Sequence, residues 1–296
     1  NLTWYVETMK ALGKVSETID ALQAVTQLAP ERAGFWNVLA QVQAEKGNLA
    51  AARVALQSLL KLENLAAADF QHAAATFTLL GDSPAALACL NQAIEAAQPA
   101  PAALLFEVAA LRQQLLQPEA ALEAVQAAAA QQPESLALHV FQADLLAELN
   151  QLQPALDCLE RALRLLESQA DAAGGDEDLR QGNLPEAWWR SLRDPASIYT
   201  RFALLLRAAG ALGAALNRAE KALERCPASL PLRCLAAELA RGLLNTTKAE
   251  EFADLSDLPL SEGEEEDPWL HAISVLRAEM ALDRGAEAEA QRLGMA

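Results

Sequence analysis

The sequence is poor in aromatic residues, in cationic residues and in long hydrophobic runs. Aromatic side chains make up 5% of its 296 residues, and 23 Lys and Arg stand against 40 Asp and Glu, for a formal net charge of −17. A protein that binds nucleic-acid backbone needs a basic surface, so we expect no nucleic-acid partner. No apolar run approaches the ~20 residues of a membrane-spanning helix, so we expect no membrane insertion.

Residues suited to catalysis or metal binding are also scarce. The four cysteines form no Cys-x-x-Cys pair, and the three histidines, His72, His139 and His271, lie far apart. The sequence has no Gly-rich phosphate loop, no His-Glu-x-x-His motif and no calcium-loop pattern. We therefore expect no enzymatic activity, no metal and no cofactor. The cysteines are predicted to be buried thiols, which mildly favours a reducing, cytoplasmic compartment.

Alanine is the abundant residue, with 66 copies, while the 13 glycines and 13 prolines are spread along the chain. Long runs of Ala, Leu, Gln and Glu favour helix over strand. The composition therefore predicts an all-α protein. Because the chain starts at Asn1 rather than at Met, we expect it to be a fragment or a processed product of a longer protein.

Alanine also recurs in a 34-residue pattern. We number six repeats, each from its own start residue. In all six, the eighth and the twentieth residues are alanine. The starts are Ala33, Ala67, Ala102, Leu136, Ala196 and Leu230; the eighth positions are Ala40, Ala74, Ala109, Ala143, Ala203 and Ala237; the twentieth are Ala52, Ala86, Ala121, Ala155, Ala215 and Ala249. Two helices approach to 8–10 Å only where small side chains meet, so these alanines predict close helix crossings.

Other positions of the repeat support the same interpretation. Bulky residues recur at the fourth position, as in Trp36 and Tyr199, and at the twenty-fourth, as in Leu56. Turn residues such as Gly47 fall between the two halves, and Pro133 closes a repeat at position thirty-two. Each repeat therefore predicts two helices joined by a short turn.

A 34-residue helix–turn–helix repeat with these small and bulky positions resembles the tetratricopeptide repeat (TPR) family. The resemblance implies a right-handed superhelical solenoid of antiparallel helix pairs with an inner groove. We divide the chain into a degenerate N-terminal repeat or cap (1–32), four repeats (33–167), an insert with a short Trp-containing helix (168–195), two repeats (196–255), an acidic loop (256–267) and a C-terminal helical pair or cap (268–296). Asp267 and Pro268 are predicted to begin the last pair as N-cap and first-turn proline.

TPR proteins hold peptide segments or partner helices against the first helix of each repeat. Carrying the family's contact positions over to this chain implies a groove surface for a protein or peptide partner. The resulting residues are Asn37, Gln41, Glu45, Gln71, Phe106, Gln113, Gln114, Asp144, Glu148, Arg207 and Arg241. Their amides are suited to pairing with a ligand backbone, and Phe106 to an apolar contact; equally, these side chains can simply be solvated.

Some TPR proteins bind a C-terminal carboxylate with a set of Lys, Asn and Arg residues at fixed positions. At the corresponding positions this chain has Asn37, Gln41, His72, Ala103 and Glu107. The positive residues are missing, and an acidic ligand tail would meet Glu107. The resemblance therefore predicts a partner of another kind.

The insert and the acidic loop interrupt the pattern. Because large aromatic side chains are costly to leave in water, we expect the tryptophans at 188 and 189 either to pack the insert helix onto the repeats or to form an aromatic anchor for a partner. Trp188 and Trp189 are therefore candidate binding residues. The acidic run at 262–267 is predicted to be a solvated loop rather than a basic-partner site.

These observations favour a non-catalytic TPR scaffold or adaptor that binds protein partners through its groove. Two alternatives remain: a self-assembling structural array, which would make the chain a homo-oligomer, or the scaffold region of a larger secretion, sensor or assembly protein.

Overall fold

The computed structural model describes residues 2–168, 179, 184, 186–256 and 267–294. Apart from a 3₁₀ residue at Leu179, every regular element in these ranges is an α-helix, which confirms the all-α prediction. Within the same ranges, no helix combines the length and the apolar character needed to cross a membrane. The helices are α1 (Leu2–Ala11), α2 (Val15–Leu28), α3 (Ala33–Glu45), α4 (Leu49–Leu59), α5 (Ala67–Leu79), α6 (Ser83–Ala96), α7 (Ala102–Gln114), α8 (Pro118–Gln131), α9 (Leu136–Glu148), α10 (Leu152–Ser168), α11 (Glu186–Arg193), α12 (Pro195–Ala208), α13 (Leu212–Arg225), α14 (Leu230–Gly242), α15 (Thr246–Ala253), α16 (Pro268–Asp283) and α17 (Glu287–Gly294).

The described residues form two compact halves. The N-terminal half contains α1 to α8, within Asn1–Gln132, and the C-terminal half contains α9 to α17, from Pro133 onward. In the first half, α1 packs on α2, α3 on α4, α5 on α6 and α7 on α8; in the second, α9 packs on α10, α12 on α13, α14 on α15 and α16 on α17. Short turns join the two helices of each pair, so each pair is antiparallel.

The repeating alanines lie where the helices of the pairs meet. Each of the twelve alanines at positions eight and twenty of repeats 1 to 6 exposes 1% or less of its surface. The bulky residues around them fill the same layers, with Leu56, Leu90, Val125 and Leu159 at the twenty-fourth position almost fully buried. The helix pairs can approach closely because alanine leaves no side chain between their backbones.

A single turn geometry joins the two helices of every repeat. The fifteenth residue has a positive φ in all six cases: Gly47 (85°), Gly81 (72°), Leu116 (57°), Asn150 (57°), Gly210 (75°) and Leu244 (59°). In repeat 1 the Gly47 N–H donates to the Ala44 carbonyl and the Asn48 N–H to the Gln43 carbonyl, both at 2.9 Å, which is a Schellman-type end. Glycine adopts this backbone freely, whereas a leucine there costs about 1–2 kcal/mol.

A second recurring contact ties the first helix of a repeat to the chain that precedes it. In repeats 1, 4 and 6 the fourth residue contacts the carbonyl of a proline six residues earlier. Trp36 Nε1 donates to Pro30 and Arg233 Nε to Pro227, each at 2.8 Å, and His139 Nε2 lies 2.8 Å from the Pro133 carbonyl oxygen. Three different side chains therefore contact the same backbone group, which fixes the direction in which these three repeats begin.

Side-chain caps define where several helices begin. Asp82, Ser135, Asp194 and Asn245 each accept a hydrogen bond from a backbone N–H in the first turn that follows. Asp267 accepts from the Trp269 N–H at 2.8 Å with Pro268 in the first turn, so the predicted start of the last helix pair is confirmed. The division of the chain into caps, repeats and insert stays a prediction.

Enlarging an alanine at a helix crossing tests this packing. Ala109→Leu in α7 and Ala155→Leu in α10 each add three carbon atoms where the alanine is fully buried. We expect each to lower the free energy of unfolding by about 1–3 kcal/mol through overpacking. The matched control is Ala127→Leu at an exposed position of α8, expected to change it by less than about 0.5 kcal/mol. Urea unfolding followed by circular dichroism measures all three, and neutral results at both buried sites would contradict the repeat frame.

Candidate partner-binding surface

The first helices of repeats 1 to 3 present amides and carboxylates on the N-terminal half. Gln41 and Glu45 on α3 are exposed, Gln71 on α5 is half-buried, and on α7 Gln113 is half-buried and Gln114 exposed. Gln41 Nε2 donates to Glu45 Oε1 at 2.9 Å, and Lys10 of α1 pairs with Glu45 at 2.6 Å. We call Gln41, Glu45, Gln71, Ala75, Gln113 and Gln114 the amide surface.

Asn37 differs from these residues because it is buried. It exposes 6% of its surface, and its Nδ2 donates to Asp69 Oδ1 of α5 at 3.2 Å. The other Asp69 oxygen accepts from the Ala66 N–H at 3.1 Å, so one carboxylate both caps α5 and holds α3 beside it. Asn37 is thus a link between repeats in this structure, and its contact with a partner stays a prediction.

Glu107 is a buried acid beside the amide surface. It exposes 8% of its surface, and Gln71 Nε2 donates to its Oε2 at 3.3 Å. Removal from water disfavours the charged carboxylate, and the bond from Gln71 offsets this only in part, so the pKa of Glu107 is raised to about 7. The carboxyl therefore changes its charge near neutral pH.

Phe106 is the clearest departure from the predicted groove surface. Its side chain is fully buried, with 0% exposure, whereas we expected it to offer an apolar contact to a ligand. The repeat pattern correctly placed Phe106 on the first helix of repeat 3, which is α7. It did not predict that neighbouring residues would bury the side chain. Exposed apolar surface comes instead from Leu79 of α5, which is 60% exposed and lies at a contact position of repeat 2.

In the C-terminal half, the insert helix α11 covers the corresponding surface. α11 packs on α9 and α12, the first helices of repeats 4 and 5. Trp188 Nε1 donates to Asp144 Oδ2 of α9 at 3.2 Å, and Arg201 Nε of α12 lies 3.5 Å from the other Asp144 oxygen. Arg201 also donates to Ser191 Oγ at 3.1 Å. The chain's own helix therefore occupies the groove position that the sequence assigned to a partner.

The two tryptophans pack inward. Trp189 exposes 4% of its surface, and Trp188 is half-buried with its ring edge-on to Phe141 at 5.8 Å and to Trp189 at 5.0 Å between centroids. Edge-on aromatic pairs add to the stabilisation from burial. Of the two interpretations left open by the sequence, these contacts support packing of the insert helix, and a role of Trp188 and Trp189 as an aromatic anchor for a partner stays a prediction.

Burial also affects Asp144. Desolvation raises the pKa of this carboxyl above its ordinary value, while Arg201 and the Trp188 donor oppose the shift. Glu148, one turn further along α9, is exposed. Of the two predicted groove residues of repeat 4, Asp144 therefore holds α11 and Glu148 faces solvent.

The two predicted cations of the groove surface are paired with carboxylates of the next first helix. Arg207 of α12 pairs with Glu238 of α14 at 2.8 Å. Arg241 of α14 pairs with Glu279 and, at 3.0 Å, with Asp283 of α16. Exposed ion pairs of this kind stabilise a fold by only about 0–1 kcal/mol. A charged group of a partner can therefore replace one member of such a pair at little cost in stability.

Groups that suggest chemistry do not converge among the described residues. His72 Nδ1 lies 2.7 Å from the Ala68 carbonyl oxygen of its own helix, and His271 is exposed on α16. All four cysteines are free thiols, three of them buried, and burial raises the pKa of both Cys89 and Cys234 to about 11. In the same ranges, no group of three or more His, Cys, Asp or Glu could hold a metal ion.

The expectation of a solvated acidic loop concerns the run at 262–266, which lies outside the described residues. Sequence reasoning also missed Arg201, Ser191 and Phe141, which together hold α11. These residues are up to 60 positions apart along the chain and show no linear motif. Only their placement on three adjacent helices reveals them.

No protein-family model matches the chain, and no curated protein matches it by sequence. Solved structures do match its fold. The C-terminal part of a TPR repeat-containing protein from Cytophaga hutchinsonii matches with a TM-score of 0.62 at 12% identity, over 87% of this chain and 96% of that one. A tetratricopeptide repeat protein from Parabacteroides merdae matches with a TM-score of 0.53 at 14% identity, over 88% and 90% of the two chains.

A third structure is YrrB, described as a TPR protein with an unusual peptide-binding site. Its TM-score is 0.51 at 16% identity, over 72% of this chain and 96% of YrrB. At such identities the similarity concerns the fold, and it confirms the resemblance drawn from the 34-residue repeat: these helix pairs are stacked as in TPR proteins.

The buried acid gives a prediction for pH dependence. Since the folded pKa of Glu107 is about 7 against an ordinary 4.5, its contribution to stability is full below pH 4.5 and is lost as the pH rises through about 7. Glu107→Gln keeps an acceptor for Gln71 and removes the charge. Relative to wild type, we expect little change at pH 4.5 and a gain of up to about 3 kcal/mol at pH 8.5.

Urea unfolding of both proteins at several pH values measures this difference. Glu123→Gln, at an exposed position of α8 in the same half, is the matched control and should follow wild type at every pH. If the curves for Glu107→Gln and wild type run parallel, the carboxyl is already ionised in the folded protein.

The attachment of α11 can be tested at Trp188. Trp188→Ala removes the donor to Asp144 and the contact with Phe141, so we expect the amides of 187–192 to exchange at least tenfold faster. Arg190→Ala alters an exposed residue of the same helix and should leave exchange unchanged. Hydrogen exchange read by mass spectrometry distinguishes the two, and equal exchange in both variants would show that Trp188 does not hold the helix.

Proposed function

We propose that this tetratricopeptide-repeat chain is a non-catalytic binding module that holds a segment of a partner protein on the amide surface of its N-terminal half. The observation that supports this most directly is the exposure of amides and carboxylates on three neighbouring first helices. Their side chains lie on α3, α5 and α7, whereas the corresponding surface of α9 and α12 is covered by α11. The amide surface is thus the open part of the predicted groove.

The chemistry of the amide surface suits an extended peptide backbone. A side-chain amide offers both donors and an acceptor, so Gln41, Gln113 and Gln114 can pair with peptide N–H and C=O groups without regard to sequence. Leu79, 60% exposed at the end of α5, adds an apolar contact. YrrB, a similar fold, has a peptide-binding site by its description, which is consistent with this use.

Charge restricts the partner further. Glu45, Asp69 and Glu107 lie on the same three helices, and Lys10 is already paired with Glu45. The amide surface offers no pair of cations that could bind a C-terminal carboxylate. The partner segment is therefore an internal part of its chain, not the C-terminus, and it is neutral or basic. The scaffold or adaptor role follows if the retained partner belongs to a larger complex.

A capture experiment tests the proposal with matched variants. The surface variant combines Gln41→Ala, Ala75→Arg and Gln114→Ala, all at exposed positions of first helices. The control combines Gln57→Ala, Ala51→Arg and Gln126→Ala, the same changes at exposed positions of second helices. We expect proteins that bind wild type and control to be lost from the surface variant, because arginine blocks the surface and two amides are removed.

The retained proteins are identified by mass spectrometry from native lysate, and their segments are then titrated as synthetic peptides. A loss of affinity of at least tenfold in the surface variant alone supports the proposal. Equal retention by all three baits contradicts it. Retrieval of the bait alone would favour the second candidate, self-assembly, for which Trp4 at 70% and Leu12 at 64% exposure supply uncovered apolar surface on α1 and the turn after it.

A further inference from the structure

A cleft of about 630 Å³ lies in the C-terminal half between α10, α12 and α13. Its floor is apolar and is made by Leu156, Phe202 and Leu206, of which Leu156 is 7% and Phe202 6% exposed. Gly213 and Ala214 at the start of α13 leave the cleft open, because neither has a side chain long enough to close it. The cleft is therefore a trough with an apolar floor and polar, charged walls between two second helices, and it is not part of the amide surface.

The two walls have opposite charge. The α10 wall presents Asp157 and Glu160, and the α13 wall presents Arg218 and Lys221. On the α10 wall both acids have partners from their own helix: Gln153 Nε2 donates to Asp157 at 3.0 Å, and Arg164 pairs with Glu160 at 3.1 Å. The acidic wall is thus largely satisfied within α10.

The basic wall is different. Arg218 lies over the Phe202 ring, with its guanidinium carbon 4.3 Å from the centroid, and within the ranges that the structure describes neither Arg218 nor Lys221 has an ion-pair partner. Stacking on the ring holds the guanidinium at the edge of the floor, where a ligand carboxylate can reach it. In a chain with a net charge of −17, two adjacent cations without carboxylate partners favour an acidic ligand.

The form of the cleft indicates the kind of ligand. Sites for small molecules enclose most of the ligand, whereas Gln153, Asp157, Glu160, Asn217 and Lys221 along this rim are all exposed. The lining residues of each wall, 153–160 on α10 and 214–221 on α13, span two helical turns, about 10 Å. An open trough of this length, with an apolar floor and charged walls, matches two turns of an amphipathic helix laid between the walls.

We propose that this cleft binds an acidic amphipathic helix of a partner protein. Its apolar side chains lie on Leu156, Phe202 and Leu206, its Asp or Glu residues face Arg218 and Lys221, and its other flank, facing Asp157 and Glu160, is neutral or basic. The opposite charges of the walls fix the direction in which the helix lies, because a reversed helix would bring its acids against Asp157 and Glu160. The cleft is a second binding site and does not depend on the amide surface.

A displayed library of helical peptides tests this directly. The probe is a phage library of 14-residue helix-forming peptides with randomised apolar and flanking positions, selected on the wild-type chain. We expect enriched peptides to combine an apolar stripe with Asp or Glu on one flank. Absence of enrichment, or enrichment of peptides with Lys or Arg in place of those acids, overturns the proposal.

The location is tested with enriched peptides in fluorescence polarisation. The variant Arg218→Glu/Lys221→Glu should lose at least tenfold in affinity, and peptides with the acids changed to Lys should bind this variant better than wild type. The control Arg32→Glu/Lys61→Glu makes the same change of charge at exposed residues of the N-terminal half and should bind like wild type. Circular dichroism shows whether each variant is folded.

Two outcomes overturn the location: equal losses in both charge variants, which indicate attraction by net charge alone, or no loss in either. The variant Gln41→Ala/Ala75→Arg/Gln114→Ala, which alters the amide surface, should bind these peptides with unchanged affinity. A failure of the cleft therefore leaves the amide surface untouched, and a failure of the amide surface leaves the cleft untouched.

Discussion

The close approach of paired helices at alanine is the constraint on which the rest of this structure depends. The eighth and twentieth residues of each repeat are fully buried where the two helices of a pair meet. With no side chain between the backbones, the larger residues around them, such as Leu56 and Leu159, pack into continuous layers.

Polar residues link the repeats that alanine brings together. Asn37 and Asp69 join α3 to α5, Gln71 and Glu107 join α5 to α7, and Arg207 and Glu238 join α12 to α14. Such links lie on the first helices, where the family resemblance places partner contacts. The same surface therefore carries the packing contacts between repeats, and Gln41 and Gln114 stay exposed on it, where the proposed function places the partner.

The two halves differ in what remains open. In the N-terminal half the amide surface is uncovered, whereas in the C-terminal half α11 lies on Asp144 and Arg201 and leaves instead the cleft between α10 and α13. An amide-rich surface suits a peptide backbone, and a charged, apolar cleft suits the side chains of a helix. One chain thus offers two surfaces with different chemistry, each proposed for a different segment.

The sequence by itself determined the helix pairs, their length and their close packing, because alanine spacing, turn residues and capping residues act locally. It predicted the starts of α3 and α16, and the turn at Gly47. It did not determine which residues of a first helix stay exposed. The family resemblance assigns both Phe106 and Gln41 to partner contact, yet Phe106 is fully buried and Gln41 is exposed. Only the tertiary structure decided this, since exposure and the pKa of Glu107 depend on neighbours that are distant in sequence.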